Sequence, residues 1–264
     1  MKKWVYFIAV LLLALSCVGQ RDDPEPGPEP GSESGLPSDI PGESGAYYRR
    51  SLVLDFTGTW CVHCPKMEAA IEDLQARRPG RIAVVSVHCM PSDKMAVIPL
   101  SDDLAKRFGV VSYPSAVVDL DPSSLVTTPS ATLLEAACKS LLEKRQEAAG
   151  IRVSSTIKDD MLEVTVEATA VREGSYSLHF VVLEDGIVEA QTGSSSSHVH
   201  NNVLRSWHDS EPFTSAAGGD CFKWSAVTPA SSGGRIVAFV CRDGLVDNVS
   251  LYSCGVQTGY QYEN

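Results

Sequence analysis

Short apolar runs alternate with amphipathic segments in the first half of the chain. Residues 51–56, 81–87 and 115–120 are continuous apolar stretches of strand length, which predict buried strands. Helical spacing of apolar residues predicts helices over 65–78, 102–108 and 131–148. Strands that alternate with helices predict βαβ units and an at least partly parallel sheet.

The hydrophobic period changes after residue 150. Leu162, Val164 and Val166 alternate with polar residues, which predicts a strand with one buried and one solvated face. Further predicted strands are 177–183, 199–207, 222–227, 235–240 and 249–254. Asp-Gly pairs at 185–186 and 243–244 predict two similar hairpins. We therefore expect an antiparallel sandwich-like β domain over 150–264.

The first 46 residues have the pattern of a targeting segment followed by a linker. Lys2 and Lys3 precede an apolar stretch over 4–15 that is too short to span a bilayer core. We predict a signal peptide over residues 1–16. The residues before Cys17 resemble a bacterial lipobox, which implies that Cys17 is lipidated; plain secretion is the alternative. Residues 17–46 are rich in Pro, Gly, Ser and acids, and we expect a disordered tether.

Charge and cysteine content narrow the class of protein. The net charge of −11 argues against a nucleic-acid partner, because phosphate binding needs a basic surface. Eight cysteines in 264 residues are many for a reducing cytosol and indicate an oxidising compartment.

The segment Trp-Cys-Val-His-Cys-Pro over 60–65 carries the strongest chemical signal. Cys61 and Cys64 are spaced for a disulfide at a helix N-terminus, which stabilises a thiolate on the first cysteine. We expect Cys61 to attack a substrate disulfide and Cys64 to resolve the mixed disulfide, with His63 adding positive charge nearby. Asp55, buried at a strand end, would have a raised pKa and take the proton of Cys64.

These residues resemble the thioredoxin superfamily. The resemblance rests on the Asp-Phe-x-x-x-Trp-Cys-x-x-Cys pattern over 55–64, on Phe-Gly-Val at 108–110 and on Tyr113-Pro114. It implies a thioredoxin-like α/β domain over 47–149. It also implies that Pro114 follows a cis peptide bond and faces the cysteine pair, and that Trp60 shields the disulfide. The dipeptide between the cysteines is Val-His and differs from the Gly-Pro of thioredoxin, so the direction of electron flow stays open.

Other interpretations of the cysteines compete with this one. The pair could be half of a zinc site or a structural disulfide, although no second Cys-x-x-Cys follows. Cys89 and Cys138 are expected to be buried small hydrophobes. In the β domain, we expect Cys241 to pair with Cys254, or alternatively with Cys221.

Three histidines in the second half are a weaker candidate for chemistry. His198 and His200 would share one face of a strand, with His208 nearby, but a polar loop entering an exposed strand is the favoured interpretation. We predict no metal site and no cofactor.

The stretches VVLEDGIVEAQ and HVHNNVLR over 181–205 resemble Gram-negative outer-membrane lipoproteins whose first half is thioredoxin-like. The leading hypothesis is a lipid-anchored thiol-disulfide oxidoreductase of the cell envelope. It would act on protein thiols and disulfides with an upstream redox partner. The alternatives are a surface-exposed binding lipoprotein that uses the fold as a scaffold, and a metal carrier.

Overall fold

The computed structural model describes residues 45–145, 147–230 and 234–263 of the chain. The predicted signal peptide, Cys17 and all but the last two residues of the tether lie outside these ranges. The described α-helices are α1 (Cys64–Arg77), α2 (Leu100–Arg107) and α3 (Ala131–Lys144), and Pro122–Ser124 form a short 3-10 helix. None of them is long and apolar enough to cross a membrane.

Strands of the first half are β1 (Ser51–Thr57), β2 (Ile82–His88) and β3 (Ser115–Val118). Those of the second half are β4 (Gly150–Lys158), β5 (Met161–Thr169), β6 (Gly174–Glu184), β7 (Ile187–Glu189), β8 (His198–His200), β9 (Val203–Asp209), β10 (Phe213–Ser215), β11 (Cys221–Pro229), β12 (Arg235–Arg242) and β13 (Leu245–Ser253). β4, β7 and β10 were not predicted from the pattern.

The first half forms the predicted α/β arrangement. β1 runs parallel to β2 and antiparallel to β3, so the strand that precedes the cysteine motif is central. Side chains of α1 and α3 cover one face of these strands, where Met67 and Leu134 pack against Val53 and Val84. The predicted helix over 131–148 ends at Lys144, because Arg145 turns away to donate hydrogen bonds to carbonyls of the second half.

Strand pairing continues from the first half into the second. The order in the large sheet is β13-β12-β6-β9-β2-β1-β3, and β10 pairs with β6 outside this path. The joint is a parallel pairing of Ser86 in β2 with Val203 in β9, supported by a hydrogen bond of 2.8 Å from Ser86 N to Asn202 O. Phe56 and Phe239 accordingly belong to one apolar cluster, which both halves share.

The second half is the predicted antiparallel sandwich. A separate sheet, in the order β11-β5-β4, packs over β6 and β12 through a second apolar cluster. In β5, Leu162, Val164 and Val166 point into this cluster while Glu163 is exposed, as the alternating pattern predicts.

Two local predictions in this half are wrong. The segment 199–207 is not one strand, because Asn202 has a positive φ of 59° and separates β8 from β9. The Asp243-Gly244 turn joins the hairpin β12–β13, but Asp185-Gly186 closes no hairpin, since β7 pairs with β8. The Asp185 carboxylate instead accepts hydrogen bonds of 2.7 Å from Asn202 N and from Arg235 Nη2.

Candidate redox site

The cysteine pair lies where β1 gives way to α1. Cys61 and Cys64 form a disulfide with their Cα atoms 5.5 Å apart. Cys64 is the first residue of α1, and Pro65 occupies its first turn, where a missing N–H costs little. The free N–H groups at this helix end favour a thiolate on Cys61 once the disulfide is reduced.

The two sulfurs are shielded while the residues between them are not. Cys61 is 4% exposed and Cys64 is 2% exposed, whereas Val62 and His63 are exposed. His63 is the N-cap residue of α1 and makes no side-chain capping hydrogen bond. Its predicted electrostatic support of Cys61 stays a prediction.

Asp55 is buried on the central strand, at 5% exposure, as the sequence predicts. It lines a cavity of about 180 Å³ together with Cys64 and Glu68. Burial, and secondarily the negative charge of Glu68, raises the pKa of Asp55 to about 7. Its Oδ1 has no hydrogen-bond partner among the described residues. This carboxyl can therefore exchange a proton near neutral pH.

Trp60 and the proline loop stand beside the motif. The Trp60 indole Nε1 donates a hydrogen bond of 3.0 Å to the Cys89 carbonyl. Its ring packs edge-on against Tyr113, with 5.2 Å between centroids. The Tyr113–Pro114 peptide bond is cis, as the resemblance implies. The loop that carries Pro114 is thus held next to the tryptophan that precedes Cys61.

A buried carboxylate that the sequence analysis missed fixes the turn before the cysteines. Asp93 accepts hydrogen bonds from Thr59 N at 2.7 Å and from Met95 N at 2.9 Å, and it pairs with His88 Nδ1 at 3.0 Å. Burial alone would raise the pKa of Asp93, but these contacts outweigh it and lower the pKa to about 2. The only sequence signal was the position of Asp93 in the loop after β2, at the end of the sheet that carries the motif.

Two further side chains come from the second half of the chain. Gln191 donates from Nε2 to the Cys61 carbonyl at 2.9 Å, and His200 packs against His88 with 5.3 Å between ring centroids. Burial, and then the neighbouring His88, lowers the pKa of His200 to about 4. The unusual composition of 191–207 marked this stretch, but nothing in the sequence placed it against the cysteines.

The three histidines of the second half do not converge. His198 and His200 are neighbours, with ring centroids 4.6 Å apart, whereas His208 stacks on Phe180 in β6. Within the described ranges, no group of three or more His, Cys, Asp or Glu side chains has an arrangement that could hold a metal ion.

The predicted disulfide between Cys241 and Cys254 is not formed, nor is the alternative with Cys221; all three are free. Cys241 faces the apolar cluster that both halves share, while Cys254 borders the cluster on the other side of the same sheet. Cys221 is exposed at the start of β11. Cys254 N donates a hydrogen bond to the Gly234 carbonyl, so Cys254 lies at the far end of the β12–β13 hairpin from Cys241, while Cys221 belongs to the other sheet. These positions keep the three sulfurs apart.

Cys89 and Cys138 are buried and free, as expected for small hydrophobic side chains. Burial raises the pKa of Cys89 to about 11 and that of Cys138 to about 12. Neither thiol is activated for exchange, so the chemistry of this region rests on Cys61 and Cys64.

Comparisons with known proteins agree with this architecture. Residues 46–121 match the family model of thioredoxin. The structure is similar to HBP35 of Porphyromonas gingivalis, with a TM-score of 0.64 and 16% identity over 80% of this chain and 76% of that chain. It is also similar to protein AGR_C_4864 from Agrobacterium tumefaciens, with a TM-score of 0.56 and 14% identity over 80% and 96% of the two chains. No curated protein sequence matches. The chain thus has a thioredoxin domain followed by a strand-rich region.

Proposed function

We propose that this protein is a thiol-disulfide oxidoreductase that acts on protein substrates through Cys61 and Cys64. The observation that carries the proposal is the disulfide at the start of α1 with the buried carboxyl of Asp55 beside it. A structural disulfide has no need of a neighbouring group that titrates near neutral pH. A resolving cysteine does, because its thiol must lose a proton before it can attack.

The reaction starts from the reduced pair. The Cys61 thiolate attacks one sulfur of a substrate disulfide, forms a mixed disulfide and releases the other substrate sulfur as a thiolate. Asp55 then takes the proton of Cys64. The resulting thiolate attacks Cys61 Sγ, re-forms the Cys61–Cys64 disulfide and releases the second substrate thiolate. An upstream dithiol partner reduces the pair again, and the same steps in reverse would oxidise a substrate.

Trp60 and Pro114 have supporting roles in this proposal. Trp60 shields the disulfide from one side, since its indole is tied to the Cys89 carbonyl. Pro114 offers its loop backbone to an extended segment of the substrate, next to the Tyr113 ring that Trp60 contacts. His63, between the two cysteines, is proposed to support the Cys61 thiolate electrostatically.

Substitution of Cys61 by serine tests the activity directly. We expect the purified protein to accelerate the reduction of insulin by dithiothreitol, and Cys61→Ser to lose that acceleration by roughly 100-fold or more. Cys221→Ser is the control for loss of a thiol in general, because Cys221 is free and exposed at the start of β11, outside the Cys61–Cys64 motif. Insulin reduction at the same rate by Cys61→Ser and the parent would show that the pair does not perform the exchange.

A trapping experiment extends this test to the substrate. In Cys64→Ala the mixed disulfide on Cys61 cannot be resolved, so the substrate stays covalently bound and can be recovered under non-reducing conditions. A binding lipoprotein with the fold as a scaffold is the second candidate, and the burial of both sulfurs favours it. If the protein is such a binding lipoprotein, Cys64→Ala should form no covalent adduct with another protein.

The location proposed for this activity is the cell envelope, with the protein held at the outer membrane through lipid on Cys17. The support is the apolar segment, the lipobox-like residues and the acidic tether of the first 46 residues. Cys17→Ala is expected to move the protein from the membrane fraction to the soluble fraction. Ser16→Ala keeps a small residue before the cysteine and is expected to stay with the membrane. Unchanged fractionation of Cys17→Ala would contradict lipid anchoring.

A further inference from the structure

Residues 187–200 form a strap that belongs to neither large layer of the fold. The strap consists of β7, a connecting loop and β8, which pair only with each other among the described strands. It rises from the second half of the chain and crosses the redox motif of the first half. The contacts of its loop fall on the turn that carries Cys61.

Hydrogen bonds join the strap loop to the backbone of that turn. Thr192 N donates to the Thr59 carbonyl at 2.8 Å. The Gln191 amide donates from Nε2 to the Cys61 carbonyl at 2.9 Å and to the Gly58 carbonyl at 3.2 Å. Gln191 is only 6% exposed, so these bonds are largely protected from water.

A glycine allows the strap to lie directly on the motif. Gly193 has a φ of +83°, and a Cβ at this position would lie 2.3 Å from the carbonyl oxygen of Val62. Any side chain there would collide with backbone and not with a movable side chain. The close approach of the two backbones therefore depends on residue 193 being glycine.

Each strand of the strap has a side-chain contact with the first half of the chain. His198 Nε2 lies 3.0 Å from Glu68 Oε2 on α1, and Lys94 Nζ lies 3.1 Å from Glu189 Oε2. Glu68 is in the second turn of the helix that begins at Cys64. The strap thus contacts the helix that carries Cys64 and the loop after β2, in addition to the turn of Cys61.

We infer that the strap is a gate in cis, which shields the Cys61–Cys64 disulfide when closed and must lift before a sulfur nucleophile reaches it. The inference rests on the proposed function for its biological meaning, but the shielding itself is a property of the disulfide. Thiol-disulfide exchange needs an incoming sulfur in line with the bond that breaks. Cys61 is only 4% exposed, and the strap loop lies on the backbone of its turn, so the closed strap leaves little surface for that approach. The rate of exchange then scales with the fraction of molecules whose strap is open.

The experiment measures how fast dithiothreitol reduces the disulfide of the purified oxidised protein. Gly193→Ala places a methyl group against the Val62 carbonyl and should hold the strap open, so we expect reduction at least about tenfold faster than in the parent. Gly186→Ala is the matched control. Gly186 also has a positive φ, of +73°, and lies near the strap, but a Cβ there meets nothing within 4 Å.

Gln191→Ala removes the amide hydrogen bonds without adding any atom, and Ser196→Ala, at an exposed residue of the same loop, is its control. If Gly193→Ala lowers the melting temperature more than Gly186→Ala does, general destabilisation could explain faster reduction. The comparison of Gln191→Ala with Ser196→Ala then decides whether the gate exists. Reduction several-fold faster than in the control supports the gate. Equal reduction rates in the deciding variant and its control overturn it.

Insulin reduction measured on the same samples separates the gate from the proposed function. Faster disulfide reduction without insulin activity in any sample supports the gate and contradicts the oxidoreductase. Insulin activity together with equal disulfide reduction rates in the deciding variant and its control supports the oxidoreductase and contradicts the gate.

Discussion

Replacing Asp247 with alanine is expected to destabilise the protein by about 3–5 kcal/mol. Asp247 lies on β13 with 0% exposure, and its Oδ2 accepts a hydrogen bond of 2.7 Å from Ala149 N. Its Oδ1 lies 3.0 Å from Arg242 Nη2 and 3.5 Å from Arg145 Nη1. The carboxylate thus joins the end of the first half to two strands of the second. Its removal leaves two largely buried guanidinium groups without their shared counter-charge.

Urea unfolding at neutral pH measures this effect. Glu163→Ala is the control, because Glu163 is exposed on β5 and its replacement should change the unfolding free energy by less than about 0.5 kcal/mol. A loss of under about 1 kcal/mol in Asp247→Ala would mean that water or neighbouring groups replace the carboxylate, and that this network does not fasten the two halves together.

Asp55→Asn is expected to stabilise the oxidised protein at alkaline pH. The pKa of Asp55 is raised to about 7 in the folded protein from an ordinary value of 3.8, so folding favours its protonated form. The favourable contribution is fully present below pH 4 and is lost as the pH rises through 7. Asparagine carries no charge to bury. The stability gained by the variant should therefore grow from near zero at pH 4 to roughly 4 kcal/mol at pH 9.

Urea unfolding of the oxidised parent and variant across this pH range provides the measurement. Asp103→Asn is the control, because Asp103 is exposed in the first turn of α2 and should give less than about 1 kcal/mol at any pH. A constant difference between parent and Asp55→Asn from pH 4 to pH 9 would show that the carboxyl titrates normally.

The same substitution should slow exchange while it stabilises the fold. Asparagine cannot take the proton of Cys64, so insulin reduction near pH 7 is expected to fall by about 10- to 100-fold. The rise of the parental rate with pH through about 7 should also disappear. A stabilised variant with full activity would place the proton acceptor elsewhere in the cavity. A variant that is more stable but slower in exchange is the result expected of a group kept for chemistry at a cost to the fold.

The sequence predicted the elements around the cysteines because their signals are local. The apolar run that carries Asp55, the Cys-x-x-Cys spacing and the proline after Cys64 each specify structure within a few residues. Helix α3 was predicted too long, since the turn at Arg145 depends on carbonyls about 100 residues away. The contact between β2 and β9 had no signal for a similar reason. A fully buried strand has an apolar sequence whichever strand it pairs with, so its sequence does not identify its neighbour.

The residues of the candidate site also fall into those that local sequence signals predict and those that depend on distant contacts. Cys61, Cys64 and Asp55 could be found from spacing, whereas Gln191 and Gly193 could not, because their role lies in a contact with a turn about 130 residues earlier. The wrong Cys241–Cys254 pairing has a related cause. Cysteine counts say nothing about where in a sheet each sulfur lies, and here the two are at opposite ends of the β12–β13 hairpin.

The joint between β2 and β9 has a consequence for how this chain can be divided. In a fragment that ends at residue 149, β2 would become an open edge, with backbone groups free to pair with another molecule. The same cut would remove the β6 and β12 members of the apolar cluster that also contains Leu54 and Phe56, and expose part of that cluster. Such a fragment combines the two features that promote aggregation. We therefore expect the thioredoxin-like half to aggregate when it is produced without residues 150–264.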